Sequence, residues 1–224
     1  MTSERERADA ELDLEEAAVR RRLDPERAAL VVIDVQHDFC HPDGRQARQG
    51  KDVGRLVAPL AQLERLIGAA RARRVPVIVV RTEHGPSSDH PNWLDRHADP
   101  DRVQSCAEGS WGAEFHSVSP EVGDVVITKH RYGAFTRTDL DDQLRSLGRD
   151  SLLLTGFTTA TCVESTLRQA VDLDHLVTLV ADACGAYTEE QEQRTAAMVR
   201  SGFGVVVTTD RVFSSWQNAE VVTS

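Results

Sequence analysis

The sequence predicts one α/β domain in three layers, with a central, mainly parallel sheet of six strands between two layers of helices (α/β/α). Three observations predict it. Six short apolar runs rich in β-branched residues recur along the chain, stretches with helical spacing separate several of them, and 224 residues suffice for a full core. Such alternation is the pattern of parallel strands joined by crossover helices that cover both faces of the sheet.

The elements follow in order. Residues 1–27 are dense in both charges, with Leu12, Leu14, Val19 and Leu23 scattered among Ala and Glu. A solvated helix ending near Asp24 and Pro25 fits that composition, because the residue before a proline is pushed out of the helical region. This charged arm either lies across a neighbouring subunit or frays as a tail, and residues 28–224 form the domain. The first strand is residues 29–33. Val57, Leu60, Leu63, Leu66 and Ile67 then recur at helical spacing before the basic Arg71, Arg73 and Arg74. A second strand at 75–80 leads into a long segment, 83–123, with Pro, Asp, His, Trp and Gly throughout. Loops of that length in compact domains are usually functional or disordered, and its place after a strand end favours function. The remaining strands are 125–128, 152–155, 176–181 and 205–208. Leu140, Leu144 and Leu147 precede a helix-ending Gly148, and Val163, Leu167, Ala170 and Val171 form the apolar stripe of a helix opened by Cys162.

Charge excludes several functions. A formal net charge of -10 opposes binding to nucleic acid or to an anionic membrane surface, both of which need clustered Lys and Arg. No apolar run approaches the roughly 20 residues of a membrane span, and the first residues are too charged for a secretory signal. A cytoplasmic location is the expectation. Cys40, Cys106, Cys162 and Cys184 form no CxxC pair, so free thiols are expected rather than a zinc site or a disulfide.

Three strand ends each deliver one reactive residue: Asp34, Lys129, and Cys162 after Gly156-Phe157-Thr158-Thr159-Ala160-Thr161. In a parallel sheet these ends share one edge, so residues remote in sequence can meet. A thiol at a helix N-terminus sees the positive end of the macrodipole, and a nearby lysine favours the thiolate further. Asp34 would take the thiol proton and later deliver it to a departing nitrogen. Free backbone N–H groups before the helix, from Cys162 and the turn at 157–159, could hold an oxyanion.

The strings LVVIDVQHDF (30–39), ITKHRYGAF (127–135) and LLTGFTTATCVESTLRQA (153–170) resemble the three signature segments of isochorismatase-like cysteine hydrolases. That superfamily includes nicotinamidases, N-carbamoylsarcosine amidases, biuret hydrolases and ureidoacrylate amidohydrolases. The resemblance spans roughly residues 26–215 and implies an Asp34-Lys129-Cys162 triad, a non-proline cis peptide between Phe157 and Thr158, and the amides of Thr158 and Cys162 as the oxyanion hole. It also implies cleavage of a C–N bond, since members that cut a vinyl ether lack the cysteine.

Substrate contacts are less constrained. Phe39, Trp93, Phe135 and Phe157 are candidates to wall a flat ligand, against the alternative of plain core. His84 is a pocket candidate or a loop residue; Arg131 and Tyr132 are candidates to hold a substrate carboxylate or carbonyl, or else face loop acids. Gln36, two residues beyond Asp34 and so on the same strand face, is a candidate to steady the site, against the alternative of a surface role. Trp111 is read as loop packing, Cys40, Cys106 and Cys184 as bystanders, and His130 as pointing away. The metal-binding Asp-x-His pattern of nicotinamidases is not reproduced by the segment containing His84, Asp89 and His90, so neither metal nor cofactor is expected. The expected partner is a small amide or ureido substrate. A homo-oligomer, dimer or tetramer, is what the resemblance implies. The alternatives are a nicotinamidase-like amidase and a catalytically silent binding protein.

Overall fold

The computed structural model describes residues 4–95 and 105–221, with side chains for 12–95 and 105–217. Part of the long segment expected at 83–123 therefore lies outside the described residues, as do the first three residues of the arm and the last three of the chain. The elements are α1 (Glu4–Leu23), β1 (Ala28–Ile33), α2 (His37–Cys40), α3 (Arg45–Arg48), α4 (Val57–Ala72), β2 (Val77–Thr82), α5 (Pro91–Leu94) and β3 (Val125–Lys129). After them come α6 (Leu140–Ser146), β4 (Ser151–Phe157), α7 (Glu164–Asp172), β5 (Leu176–Gly185), α8 (Glu189–Met198), β6 (Val205–Val207) and α9 (Thr209–Val221).

Strand β1 is buried along its whole length because its side chains feed two cores. Leu30 and Val32 join one, and Ala29, Val31 and Ile33 join the other, as a period of two requires. The first core is closed by Leu23 of α1, Leu63 and Leu66 of α4, and Trp216 of α9. Leu140 and Leu144 of α6 and Leu167 of α7 close the second. A strand wet on neither face reads as an unbroken apolar run, which is why the sequence revealed it.

The six strands lie in the order β3-β2-β1-β4-β5-β6, and every pairing is parallel. The chain walks outward from β1 to β3, then returns to β4 on the other side of β1. That reversal opens a crevice beyond the C-terminal ends of β1 and β4, where open α/β sheets hold their ligands. Strand β2 begins after Pro76 and runs to Thr82, later than the expected 75–80, because pairing with β3 continues through Thr82 and Lys129. Strand β5 likewise outruns its apolar stretch and pairs with β4 as far as Gly185. Both extensions carry polar residues to the functional edge.

Gly156 makes the close approach of β1 and β4 possible. Its φ is 103°, and a Cβ built there would run into the Ile33 backbone. Gly156→Ala is expected to lower unfolding free energy by at least about 2 kcal/mol, from strain and steric conflict together. Urea denaturation of the variant beside wild type measures it.

Helix α1 is charged, as expected, and its last turn is tied to the domain. Leu23 is fully buried, its carbonyl accepts the Trp216 indole N–H at 2.8 Å, and Glu16 pairs with Arg211. Leu12 and Leu14 are exposed. All four cysteines are free and buried. Among the described residues, no helix is long and apolar enough to cross a membrane.

Candidate active site

Three strand ends converge at the crevice. Asp34 follows β1 with φ 55°, a left-handed conformation that aspartate tolerates better than most residues. Its amide donates to the Val80 carbonyl at 2.9 Å, so the chain turns there while still held to β2. Lys129 ends β3 and reaches across β2 to the same point, its Nζ 2.8 Å from Asp34 Oδ2. Both side chains are fully buried.

Between them stands Thr82, the last residue of β2. Its hydroxyl donates to Asp34 Oδ1 at 3.0 Å and accepts from Lys129 Nζ at 2.5 Å. The Lys129 ammonium also donates to the Arg131 carbonyl at 3.1 Å. Gln36 grips Thr82 from both sides, accepting its N–H at 2.8 Å and donating to its carbonyl at 2.8 Å, and donates again to the Ala113 carbonyl at 2.8 Å. Gln36 lies beyond the end of β1, so it steadies the site from a turn rather than from a strand face.

Cys162 lies within hydrogen-bonding reach of both Asp34 and Lys129. It comes not from the first turn of an α-helix but from a wider π-type turn, Thr159–Val163, in which the Val163 amide donates to the Thr158 carbonyl at 3.3 Å. Turns of this kind recur at functional sites. The Cys162 carbonyl accepts the Thr166 hydroxyl at 2.8 Å, and that hydroxyl accepts the Ala134 amide at 3.0 Å. Gln169 accepts the Phe135 amide at 3.2 Å. The loop that follows Lys129 is thus bolted to the helix that follows Cys162. The Phe157–Thr158 peptide is cis.

Electrostatics correct one expectation. Burial pushes the Cys162 thiol well above its ordinary range and the Asp34 carboxylate pushes it further, while Lys129 only opposes them. A thiol, not a thiolate, is the resting form, because loss of solvation outweighs the helix end and the lysine. Burial alone would lower the Lys129 pKa, yet Asp34 and Cys162 outweigh it and hold the ammonium charged. Burial and charge therefore favour a thiol at Cys162 and an ammonium at Lys129, both beside the Asp34 side chain.

These groups open onto a cleft of about 250 Å3. Phe39, His84, Trp93, Arg131, Tyr132 and Thr158 all line it, beside Lys129 and Cys162. His84 stacks on Trp93 with ring centres 5.7 Å apart, and the Arg131 guanidinium lies 4.7 Å from the centre of the same indole. Trp93 also meets the Tyr132 ring edge-on at 5.0 Å. Two expected wall residues do not line the cleft. The Phe157 ring is fully buried in the core beneath α4, and Phe135, its amide held by Gln169, turns its ring onto His175 at 5.7 Å. Trp111 stacks on His37 at 4.4 Å, away from the cleft.

His84 Nδ1 donates to Asp89 Oδ1 at 2.8 Å, and His90 caps the start of α5 by accepting the Asn92 amide at 3.2 Å. These side chains serve separate local contacts, and among the described residues no three His, Cys, Asp or Glu are grouped to hold a metal. Sequence reasoning missed Thr82, and on the cleft wall Arg45, Gln46, Lys51, Ser105, Thr161, Tyr187 and Gln191. Thr82 carried one usable signal: like Asp34 and Lys129, it closes a strand at the same sheet edge.

Comparison with known proteins agrees with this architecture. The isochorismatase domain profile matches residues 28–211. The ureidoacrylate amidohydrolase RutB of Methylobacterium radiotolerans is 35% identical over 199 residues, 82% of this chain and 77% of that protein. Among solved structures, a cysteine hydrolase from Pseudomonas syringae pv. phaseolicola superposes with a TM-score of 0.79 at 27% identity, covering 88% of this chain and 96% of that one. The N-carbamoylsarcosine amidase of Thermoplasma acidophilum gives a TM-score of 0.67 at 26% identity, over 82% and 97% of the two chains.

Proposed function

The chain is a hydrolase of the isochorismatase family, and on that premise we propose that it cuts a C–N bond of a small amide or ureido substrate through a covalent bond to Cys162. One observation carries the reading: a buried Asp34–Lys129 ion pair with a cysteine in hydrogen-bonding reach of both, at the floor of a cleft. Names of relatives support the substrate class, since they include ureidoacrylate amidohydrolases and an N-carbamoylsarcosine amidase.

The resting charges assign the steps. Sulfur attacks the carbonyl carbon as Asp34 removes its proton, so the thiolate exists only as the C–S bond forms. Lys129, its side chain fully buried, offsets the charge that develops on sulfur. The amides of Thr158 and Cys162 are the proposed donors to the oxyanion. The tetrahedral adduct collapses, the C–N bond breaks, and the proton on Asp34 passes to the leaving nitrogen. Water then adds to the acyl-enzyme, giving one proton to Asp34 and its oxygen to the acyl carbon, and the thiol is restored. One water is consumed per turnover.

Ammonia release over a panel of nicotinamide, biuret, ureidoacrylate and N-carbamoyl amino acids tests the proposal. The carbamoyl compounds are expected to react, nicotinamide weakly or not at all. Release from none of them would remove the substrate class.

A further inference from the structure

The cleft wall carries a charge asymmetry that the triad does not use. Four cationic residues line it: Arg45, Lys51, Lys129 and Arg131. Among the described residues, no Asp or Glu lines it, although acids outnumber bases in the chain by 36 to 26. Lys129 is neutralised by Asp34 beneath the wall. Arg131 is spent on the Trp93 face and on the carbonyls of Ser88 and His130. Arg45 and Lys51 remain, and among the described residues neither side chain has an acidic partner within ion-pair distance.

The segment bearing them is built into the fold. Asp38, nearly buried, accepts the Arg45 amide at 3.0 Å and the Cys106 amide at 2.7 Å, which ties the start of α3 to α2 and to Cys106. Gln46 donates to Ser105 Oγ at 3.2 Å, and the Lys51 amide returns to the Gln46 carbonyl at 3.0 Å. Two cations without an acidic partner among the described residues, on an anchored segment lining a recess of about eight water volumes, concentrate positive potential where a small anion fits. Arginine is the side chain best shaped to meet a carboxylate with two parallel hydrogen bonds.

We propose that Arg45 and Lys51 form an anion-recognising rim that selects substrates bearing a carboxylate remote from the bond that Cys162 cuts. The inference rests on the proposed C–N hydrolysis and deepens it by assigning the substrate a negative charge and the chain a specificity determinant. Arg131 then orders the aromatic wall through Trp93, and the carboxylate is held by Arg45 and Lys51.

The test compares 3-ureidopropionate with 3-ureidopropanol, in which a hydroxymethyl group replaces the carboxylate. Wild type is expected to favour the acid in kcat/KM by tenfold or more. In Arg45→Gln and in Lys51→Gln the acid-to-alcohol ratio is expected to fall about tenfold, mainly through KM, with Arg45→Lys recovering part of it. Parallel losses on both compounds, leaving the ratio within twofold of wild type, would overturn the rim. Should wild type hydrolyse neither compound, the proposed activity on ureido substrates fails, and calorimetry still decides the rim. Titrating 3-ureidopropionate into Cys162→Ala is expected to show binding that the added Arg45→Gln change weakens tenfold; no binding, or binding indifferent to Arg45, overturns it.

Discussion

Cys162→Ala is expected to lower kcat/KM by about 10,000-fold or more while the protein stays folded. The nucleophile of a cooperative triad has no substitute, and what survives its loss comes from binding and oxyanion stabilisation alone. Neither Asp34 nor Lys129 can replace it, since each is held in the buried ion pair. The structural cost is small. Cys162 is only 7% exposed, but alanine removes a single sulfur atom and leaves the backbone contact between the Cys162 carbonyl and Thr166 in place. Ammonia release under single-turnover conditions, with a denaturation curve on the same sample, separates chemistry from folding. Intact-mass analysis of quenched wild type should show an acyl adduct on Cys162. A variant that kept more than about one hundredth of wild-type activity would remove the cysteine from the reaction.

Lys129→Met is expected to cost about 3–5 kcal/mol of stability at neutral pH, and activity with it, because removing one member of a buried pair strands the other charge. Asp34 would keep the Thr82 hydroxyl and the Cys162 thiol as side-chain partners, neither of them a cation. The double variant Asp34→Asn, Lys129→Met is expected to recover most of that stability and none of the activity, which distinguishes a stranded charge from general loss of packing. The pH dependence has a definite direction. The lysine pKa is raised in the folded state above its ordinary 10.5, so its stabilising contribution is complete below 10.5 and is lost only as pH rises through the higher folded value. Urea denaturation at pH 7 therefore measures the full penalty, and the gap between variant and wild type is expected to narrow only in strong alkali. A penalty below about 1 kcal/mol at pH 7 would mean that the charge at Asp34 is compensated elsewhere.

Asp34 and Lys129 were legible because each stands directly after an apolar run that ends at the sheet edge, and Cys162 because the turn after such a run leads to it at the start of a helix. The cysteine helix was legible through Val163, Leu167 and Ala170, though the wider turn at Thr159–Val163 was not. That turn is tied through the Thr166 hydroxyl, which the Cys162 carbonyl and the Ala134 amide share, to the 133–136 loop, a contact that no local pattern encodes. Thr82 was missed for a similar reason. Its role depends on β2 lying between β1 and β3, and strand order is a property of the assembled sheet. Phe135 and Phe157 were read as wall residues on nearness to the catalytic strings, yet their rings fell into the core, because side-chain direction follows from which face of an element is covered.

By itself the sequence determined the layered α/β class and the six strands, which rest on residue type and short-range period and survive in any arrangement of the chain; its resemblance to isochorismatase-like cysteine hydrolases put forward Asp34, Lys129 and Cys162 as the proposed reactive set. Tertiary structure alone decided that Cys162 rests as a protonated thiol, that Thr82 and Gln36 hold the ion pair, and that Arg45 and Lys51 face the cleft from a segment about a hundred residues away from the nucleophile. Desolvation and charge proximity depend on distance in space, and only the folded sheet sets those distances.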